Sequence, residues 1–289
     1  MRRYRVLKHD FDVRANWLTM EIADEWEDHI KKMWSDGQEG IKQGLVLEYG
    51  LDDAETKLQN FIDLGPKPFS VIAYHNRFAD QARRSFVVGG YYPALTGTCA
   101  LGERILNHLL LGLRDEFKGT PQYKDVYRKK SFDNWDLAID TLEAWKVLVP
   151  DAVEAFKRFK DIRNRRAIHF DPATDTDDRD LALAAAKSLN DIISAQFGVS
   201  GAEPWFITGV RGGECYVKKE LESDPFVRLV YLPNSYLVGP CHRLEPAGEH
   251  GEDGWKVIDE SNYEDRETSD DQFRQLREQA VNDQLASPP

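Results

Sequence analysis

One helical segment of the chain is apolar on nearly every side: Leu101-Gly-Glu-Arg-Ile-Leu-Asn-His-Leu-Leu-Leu-Gly-Leu-Arg114. Seven of its residues are leucine or isoleucine, and they are spread around the helix instead of forming one stripe. A helix that is apolar all round is buried by its neighbours. We therefore expect this segment to be the central helix of a mainly α-helical bundle.

Helical patterns flank the central helix on both sides. From Phe69 to Phe197 the apolar residues recur almost throughout with helical spacing. Helices are predicted near residues 69–88, 92–117, 133–148, 151–168 and 176–197. Gly65-Pro66-Lys67-Pro68 interrupts the chain just before the first of these helices. We therefore predict a helical domain at residues 67–199.

Two polar residues of the central helix, Glu103 and Asn107, lie one turn apart on the same side. A glutamate buried in a helical bundle needs a partner for its charge. Arg163 and Arg166 of the same domain are the candidates. We interpret Glu103 and Asn107 as supporting residues, with a Glu–Arg pair that either holds the fold together or takes part in chemistry.

The charge of this acidic chain reverses at Lys157-Arg-Phe-Lys-Asp-Ile-Arg-Asn-Arg-Arg166, where six bases accompany one acid. Ala167-Ile168-His169-Phe170 follows directly. An arginine can hold a phosphate, and a histidine can move a proton near pH 7. These two groups are the minimum that cutting RNA without a metal requires. The segment therefore predicts a ribonuclease with Arg163 and His169 as its catalytic pair.

Projection of this segment on a helix places charged residues on its apolar side. Taking Phe159 as zero, Arg163 and Arg166 fall about 40° and 20° from the centre of the apolar arc, and His169 falls about 80° from it. A structural arginine satisfied by a carboxylate is one explanation. The other is an active site or anion site assembled where this face meets another helix or another subunit.

The run Asp161-Ile-Arg-Asn-Arg-Arg-Ala-Ile-His-Phe-Asp171 resembles the Arg-x4–6-His motif of HEPN domains (higher eukaryotes and prokaryotes nucleotide-binding). In that motif a polar residue follows the arginine, as Asn164 does here. The resemblance implies an all-helical domain at residues 67–199 and metal-independent endoribonuclease activity. Some toxins of the family are silenced by modification of a tyrosine two places after the histidine. Asp171 occupies that position, so this form of control is not expected.

The resemblance also implies a mechanism, in which the 2′-hydroxyl of RNA attacks the adjacent phosphate. His169 moves the proton, Arg163 stabilises the charge on the phosphorane, and Asn164 orients the histidine or the phosphate. On a continuous helix Arg163 and His169 are about 120° and 9 Å apart, too far to share one phosphate easily. The family uses a composite cleft between two copies, so we predict a homodimer. No metal or cofactor is expected. Three further bases are assigned to substrate binding: Lys160, Arg165 and Arg166.

Two other functions remain open from the sequence, so the chain is not necessarily an enzyme. One is a non-catalytic helical module that binds a nucleotide or RNA. The other is a regulatory or interaction subunit of a nuclease system, since residues 245–289 carry 13 acids and 4 bases and could mask a basic cleft. A toxin-like or defence-like nuclease would also need restraint, which raises the prospect of an unidentified protein regulator.

The first 66 residues are predicted to form an α/β extension. A helix is expected around Trp17 to Trp34 and a second one around Asp52 to Ile62. Between them, Leu45-Val-Leu-Glu-Tyr49 has the composition of a short strand. Residues 1–66 therefore form a separate segment in this prediction.

Beyond Phe197 the pattern changes to short alternating segments that predict a small antiparallel sheet. The predicted strands are Trp205–Val210, Glu214–Lys218, Phe226–Tyr231 and Tyr236–Gly239. Arg211-Gly-Gly213 is a hairpin signal between the first two, and one more helix is expected near Asp270 to Gln284. Residues 200–289 are thus predicted to form a β-rich module with an acidic tail.

The composition limits the location of the protein. The chain has 289 residues, is 41% hydrophobic and carries a net charge of −12, which excludes a general nucleic-acid binder and allows only a local basic site. Its three cysteines, Cys99, Cys215 and Cys241, are widely spaced and form no disulfide or zinc pattern. No signal peptide or membrane-spanning run is apparent. We therefore expect a cytoplasmic protein that does not enter a membrane.

Overall fold

The computed structural model describes residues 1–7, 11–68, 73–164, 178–198, 206–209, 214–246, 255–264 and 266–286. These residues are mainly helical and include a small antiparallel sheet, which confirms the predicted fold class. The chain forms two compact units. A helical unit comprises His9–Ser200, and a sheet unit comprises Met1–Lys8 together with Gly201–Pro289.

The helical unit contains nine α-helices within its described residues. They are α1 (Arg14–Thr19), α2 (Asp28–Tyr49), α3 (Ala54–Leu64), α4 (Ala73–Val87), α5 (Tyr91–Leu113), α6 (Tyr123–Val126), α7 (Trp135–Ala144), α8 (Pro150–Ile162) and α9 (Asp178–Phe197). Helix α5 packs against α4, α7 and α9, and α8 packs against α7 and α9. Helix α5, on which the candidate site lies, thus packs against three of the other helices.

Helix α5 contains the central segment predicted from the sequence. Ile105, Leu106 and Leu110 have no exposed surface at all. Burying each such side chain stabilises the fold by about 1.5–3 kcal/mol, which makes α5 the main source of the unit's core. None of the described helices, α5 included, is both long and apolar enough to cross a membrane.

The amino-terminal helices differ from the prediction in two respects. The helix expected from Trp17 to Trp34 is divided between α1 and α2, and these two tryptophans stack with ring centroids 4.0 Å apart. The predicted strand at Leu45–Tyr49 is instead the last turn of α2, so that prediction is wrong. Leu45 is buried while Leu47 is 87% exposed, as a helix allows. Gly50, at φ +86°, ends the helix where other residues would be strained.

The sheet unit is built on four antiparallel strands in the order β2-β3-β1-β4. The strands are β1 (Arg3–Val6), β2 (Ile207–Gly209), β3 (Cys215–Val217) and β4 (Ser235–Val238). A separate two-stranded ribbon pairs β5 (Arg243–Pro246) with β6 (Trp255–Ile258). Helix α10 (Asp270–Ala286) follows, as expected for the acidic tail. Its Phe273 packs on Tyr216 and Val238 of the sheet.

The strand β1 was not expected, and it changes the division of the chain. Its register pairs Arg5 with Tyr216 of β3 and with Tyr236 of β4. The first residues therefore belong to the sheet unit, while α1 to α3 belong to the helical unit. The predicted separate segment 1–66 is not one of the two compact units. Central strands of a sheet are usually apolar. A four-residue stretch with two arginines therefore did not predict one.

The strand predicted at Phe226–Tyr231 is also wrong, because Val227–Tyr231 forms a π-helical turn. The carboxylate of Asp224 accepts hydrogen bonds from the backbone N–H groups of Phe226 and Val227 at 2.9 and 3.1 Å. The turn brings the rings of Phe226 and Tyr231 together and packs them against Phe206. The ring centroids of Phe206 and Tyr231 are 4.2 Å apart. Aromatic packing and a capping carboxylate thus override the local strand preference.

A buried network of charged groups fixes α10 to the sheet. Arg277 donates two hydrogen bonds to Glu214, at 2.9 and 2.7 Å, and others to the carbonyls of Pro240 and His242. Arg5 lies 3.2 Å from the same carboxylate. Although burial opposes it, hydrogen bonds from Arg277 and Tyr216 lower the pKa of Glu214 to about 2. Part of the acidic tail is therefore held within its own unit.

Candidate functional site

The candidate site begins where α5 meets α7 and α8, and Gly102 permits this close approach. A β-carbon at Gly102 would overlap the ring of Phe159 and would stand 3.0 Å from Cη2 of Trp135. Any larger residue would force the helices apart. The small-residue stretch before the leucines of α5 thus allows close packing. It brings Glu103, the next residue, within reach of the end of α8.

Arg163 meets Glu103 at this junction, as the sequence predicted for one of two arginines. Its Nη2 donates to Oε2 of Glu103 at 2.6 Å, and its Nη1 donates to Oδ1 of Asn164 at 3.0 Å. The guanidinium carbon lies 5.2 Å from the ring centroid of Trp135, in cation–π distance. The Trp135 indole N–H also donates to Oε2 of Glu103, at 3.4 Å. Arg163 is therefore held on three sides.

Glu103 and Asn107 occupy different environments, although they share one side of α5. The side chain of Glu103 is 36% exposed, so the expectation of a buried glutamate is wrong. It lies at the rim of a cleft. Asn107 instead fixes the chain before α7: its amide donates to the carbonyl of Phe132 at 3.0 Å, and its oxygen accepts from the N–H of Phe132 at 2.7 Å. This agrees with a supporting role for Asn107.

The cleft beside α5 has a volume of about 570 Å³ and is open to solvent. Among the residues that the structure describes, three cations line it, Arg104, Lys130 and Arg163, against one carboxylate from Glu103. The imidazole of His108 lines it as well. A concave surface with an excess of positive charge concentrates anions. The cleft can therefore accept a phosphate-bearing ligand.

Two titratable groups in the cleft have shifted pKa values. Partial desolvation, followed by the nearby Arg104 cation, lowers the pKa of His108. A neutral imidazole can accept a proton, so His108 can serve as a base near pH 7. Burial raises the pKa of the Cys99 thiol to about 12. Because the thiolate is the reactive form, Cys99 is not a nucleophile here.

The remaining predicted site residues are distributed differently. His169, Arg165 and Arg166 lie outside the described residues. Helix α8 ends at Ile162, and residues 163–164 continue as a π-helical turn, so Arg163 does not occupy a regular α-helical position. Lys160 does not line the cleft. Its ammonium donates to Oδ1 of Asp136 at 2.5 Å, which raises the pKa of this lysine.

Four residues of the site were not assigned a role from the sequence. Arg104 and His108 carried a detectable signal, because they lie one turn apart on a helix face next to Glu103. Lys130 ends the basic, aromatic-bearing stretch Tyr123–Lys130, whose pattern allows either RNA docking or a solvated loop face. Trp135 carried no signal, because it reaches the site through the packing of α7. Contacts between residues so far apart in sequence are set by tertiary structure.

Comparisons with models of protein families, with curated proteins and with solved structures give no significant match for this chain. A function is therefore argued from the motif resemblance at residues 161–171 and from the cleft beside α5, which share Arg163.

Proposed function

We propose that the helical unit is a metal-independent endoribonuclease whose active site includes the cleft beside α5. The observation that carries this proposal is the position of Arg163. The arginine of the motif lines a cleft that also holds two other cations and the imidazole of His108. RNA phosphates would be drawn to this surface, although the chain as a whole is acidic.

In the proposed reaction the 2′-hydroxyl oxygen of RNA forms a bond to the adjacent phosphorus and loses its proton to a base. The bond from phosphorus to the 5′-oxygen breaks, and this leaving oxygen gains a proton. The products are a 2′,3′-cyclic phosphate and a 5′-hydroxyl end. His169 is assigned the proton transfer and Asn164 the orientation of histidine or phosphate. Arg163 stabilises the negative charge of the phosphorane.

The contacts of Arg163 are compatible with this role. A guanidinium has five N–H donors, and the hydrogen bonds to Glu103 and Asn164 use two of them. A phosphate can therefore be bound without breaking the pair with Glu103. The carboxylate and the Trp135 ring hold the guanidinium in one orientation, as stabilisation of a transition state requires.

We further propose a homodimer in which the arginine of one copy and the histidine of the other act on the same phosphate. The motif resemblance supports this arrangement, whereas the spacing argument assumed a continuous helix and α8 ends at Ile162. Arg165 and Arg166 would add binding energy through RNA phosphates, which would weaken in high salt. A cytoplasmic location belongs to the same proposal, since the three cysteines are free.

A second candidate is a helical module that binds RNA or a nucleotide without cutting it. The contacts that hold Arg163 favour this alternative. Its partners Glu103 and Trp135 would also fit an arginine whose main role is to join α5, α7 and α8. In that case the cleft would bind an anion through Arg104 and Lys130 while no bond is broken.

Incubation of the purified protein with end-labelled RNA in EDTA separates the two candidates. We expect the wild type to leave cyclic phosphate ends, and His169→Ala to cut about 10²–10⁴ times more slowly. His29→Ala is the matched control, because His29 is an exposed residue of α2. RNA binding without cleavage by the wild type would favour the binding module. Cleavage that persists in His169→Ala contradicts the assigned mechanism, and a monomer that cuts RNA contradicts the composite cleft.

A further inference from the structure

A second cavity in the helical unit, with a volume of about 400 Å³, shares no lining residue with the cleft beside α5. Residues just before α1, the end of α2, and helices α3 and α4 form its wall. A cavity of this size admits a small organic molecule. Whether this cavity binds a ligand does not depend on the ribonuclease proposal.

Arg83 of α4 is the unusual residue of this cavity. It is 8% exposed, and its Nη2 donates to the carbonyl of Gly65 at 2.7 Å. Its Nη1 is buried and has no hydrogen-bond partner among the residues that the structure describes. Burial of a charged donor without a partner destabilises a fold, so native proteins keep such groups rarely. A bound anion in the cavity would offset the burial of this charge.

Arg83 forms no direct ion pair in the described part of the chain, although the charges of Asp12 and Asp80 act on it from farther away. The remaining cations are each paired: Arg14 with Asp12 and Glu48, Arg84 with Asp80 and Glu48, and Lys67 with Asp80. Among the described lining residues, three carboxylates thus face four cations, an excess of one positive charge. A ligand with a single negative charge would neutralise the net charge of these lining residues. A doubly charged one would be repelled by the carboxylates.

The rest of the wall limits the chemistry of the ligand. Phe11, Phe61 and Val87 give the cavity an apolar side. Tyr49, whose pKa is raised to about 12 mainly by burial, keeps its phenolic proton and can donate a hydrogen bond. We propose that this cavity binds a small monocarboxylate with an apolar body, whose carboxylate pairs with Arg83. A phosphate, with nearly two charges at neutral pH, fits the wall less well.

Calorimetric titration of the full-length protein with benzoate tests the site, with acetate and inorganic phosphate as comparison probes. We expect saturable benzoate binding that is tighter than that of acetate or phosphate. Arg83→Met keeps most of the side-chain volume and removes the charge, so it should weaken benzoate binding at least tenfold. Arg128→Met is the control, because Arg128 is an exposed residue outside the cavity, and it should bind as the wild type does.

A second variant, Val13→Phe, keeps Arg83 and fills the cavity from its rim. It should also lose benzoate binding, and it decides the question if Arg83→Met does not fold. Absence of saturable benzoate binding by the wild type would overturn the proposal. The same holds if either variant folds and binds benzoate as tightly as the wild type. Phosphate binding tighter than benzoate binding would overturn the assigned ligand class.

Discussion

The two units each contain an arginine–carboxylate pair, but the surroundings of the pairs differ. In the sheet unit the side chains of Arg277 and Glu214 are 6% and 15% exposed, and two further residues bind the same carboxylate. In the helical unit Arg163 and Glu103 are 14% and 36% exposed and border a cleft. The first pair is closed to any ligand, while the second can still bind one.

This difference shows that an arginine on an apolar face is not by itself evidence of function. The sequence cannot distinguish the two pairs, because each consists of a helix arginine and a distant glutamate. The two pairs differ in the number of guanidinium N–H donors that remain without a partner among the described residues of the folded protein. Exposure of the carboxylate and access to the guanidinium together separate a structural pair from a candidate site.

The largest effect is expected from Glu214→Gln. Removal of this charge leaves Arg5 and Arg277 buried without a counter-ion, which costs about 3–5 kcal/mol. Hydrogen exchange measured by mass spectrometry should show faster exchange in the sheet strands than in α5. Glu220→Gln, an exposed control in the same unit, should stay within about 0.5 kcal/mol of the wild type. Equal exchange in the two variants would show that the network contributes little to stability.

A pH dependence is expected from His242, which has no exposed surface. Its Nδ1 donates to the carbonyl of Gly239 at 2.6 Å, so Nε2 faces Arg5 as an acceptor. Burial, followed by the charge of Arg277, lowers the pKa of His242 to about 4. The unfolded chain binds a proton near pH 6.5, so this contribution to stability is complete above that pH and is lost as the pH falls towards 4.

The loss should amount to about 3 kcal/mol across this pH window and should affect the sheet unit. Urea denaturation between pH 7 and pH 4, followed in the wild type and in His242→Asn, measures it. The variant should lack the part of the pH dependence that belongs to histidine. If both proteins lose stability in parallel, other groups are responsible.

A smaller effect is expected from Glu103→Gln. The pair with Arg163 is partly exposed, so water replaces part of the lost interaction, and the cost should be about 1–2 kcal/mol. The freed guanidinium should also bind RNA more tightly, because it no longer shares its charge with a carboxylate. Thermal unfolding and RNA binding in EDTA measure the two quantities. A cost as large as that of Glu214→Gln would remove the distinction between the two pairs.

The smallest effect is expected from Lys160→Gln. In the pair of Lys160 with Asp136 the lysine side chain is 20% exposed and the carboxylate 64% exposed, and surface pairs contribute about 0–1 kcal/mol. The change in the free energy of unfolding should therefore be below that of Glu103→Gln. A larger change would mean that exposure is a poor guide to the strength of these pairs.

The features that the sequence could predict depend on local pattern or on strong burial. The central position of α5 follows from its leucines. The pairing of Glu103 with Arg163 or Arg166 was predicted from the cost of a buried unpaired charge, but Glu103 is 36% exposed, so the pairing holds while its stated reason does not. The predicted strand at Leu45–Tyr49 failed because five residues cannot distinguish a strand from the end of a long helix. Only the position of Gly50 marks that end.

Features that depend on distant contacts could not be predicted. The sequence of β1 places Arg3 and Arg5 where apolar residues are expected, and their partners lie far along the chain. Arg83 belongs to an ordinary amphipathic helix by pattern, and its unpaired donor appears only once α2, α3 and α4 have packed. Charge compensation around a cavity is a property of the assembled structure.

The position of β1 also has a consequence for synthesis. This strand leaves the ribosome before the helical unit, but its neighbours β3 and β4 follow about 200 residues later. At ribosomal speeds of about 5–20 residues per second, the delay is roughly 10 to 40 seconds. The nascent helical unit can fold within that interval, while the buried arginines of β1 remain in water. The sheet unit therefore forms after the helical unit, and ribosome-bound chains should hold β1 unpaired until β3 and β4 have emerged.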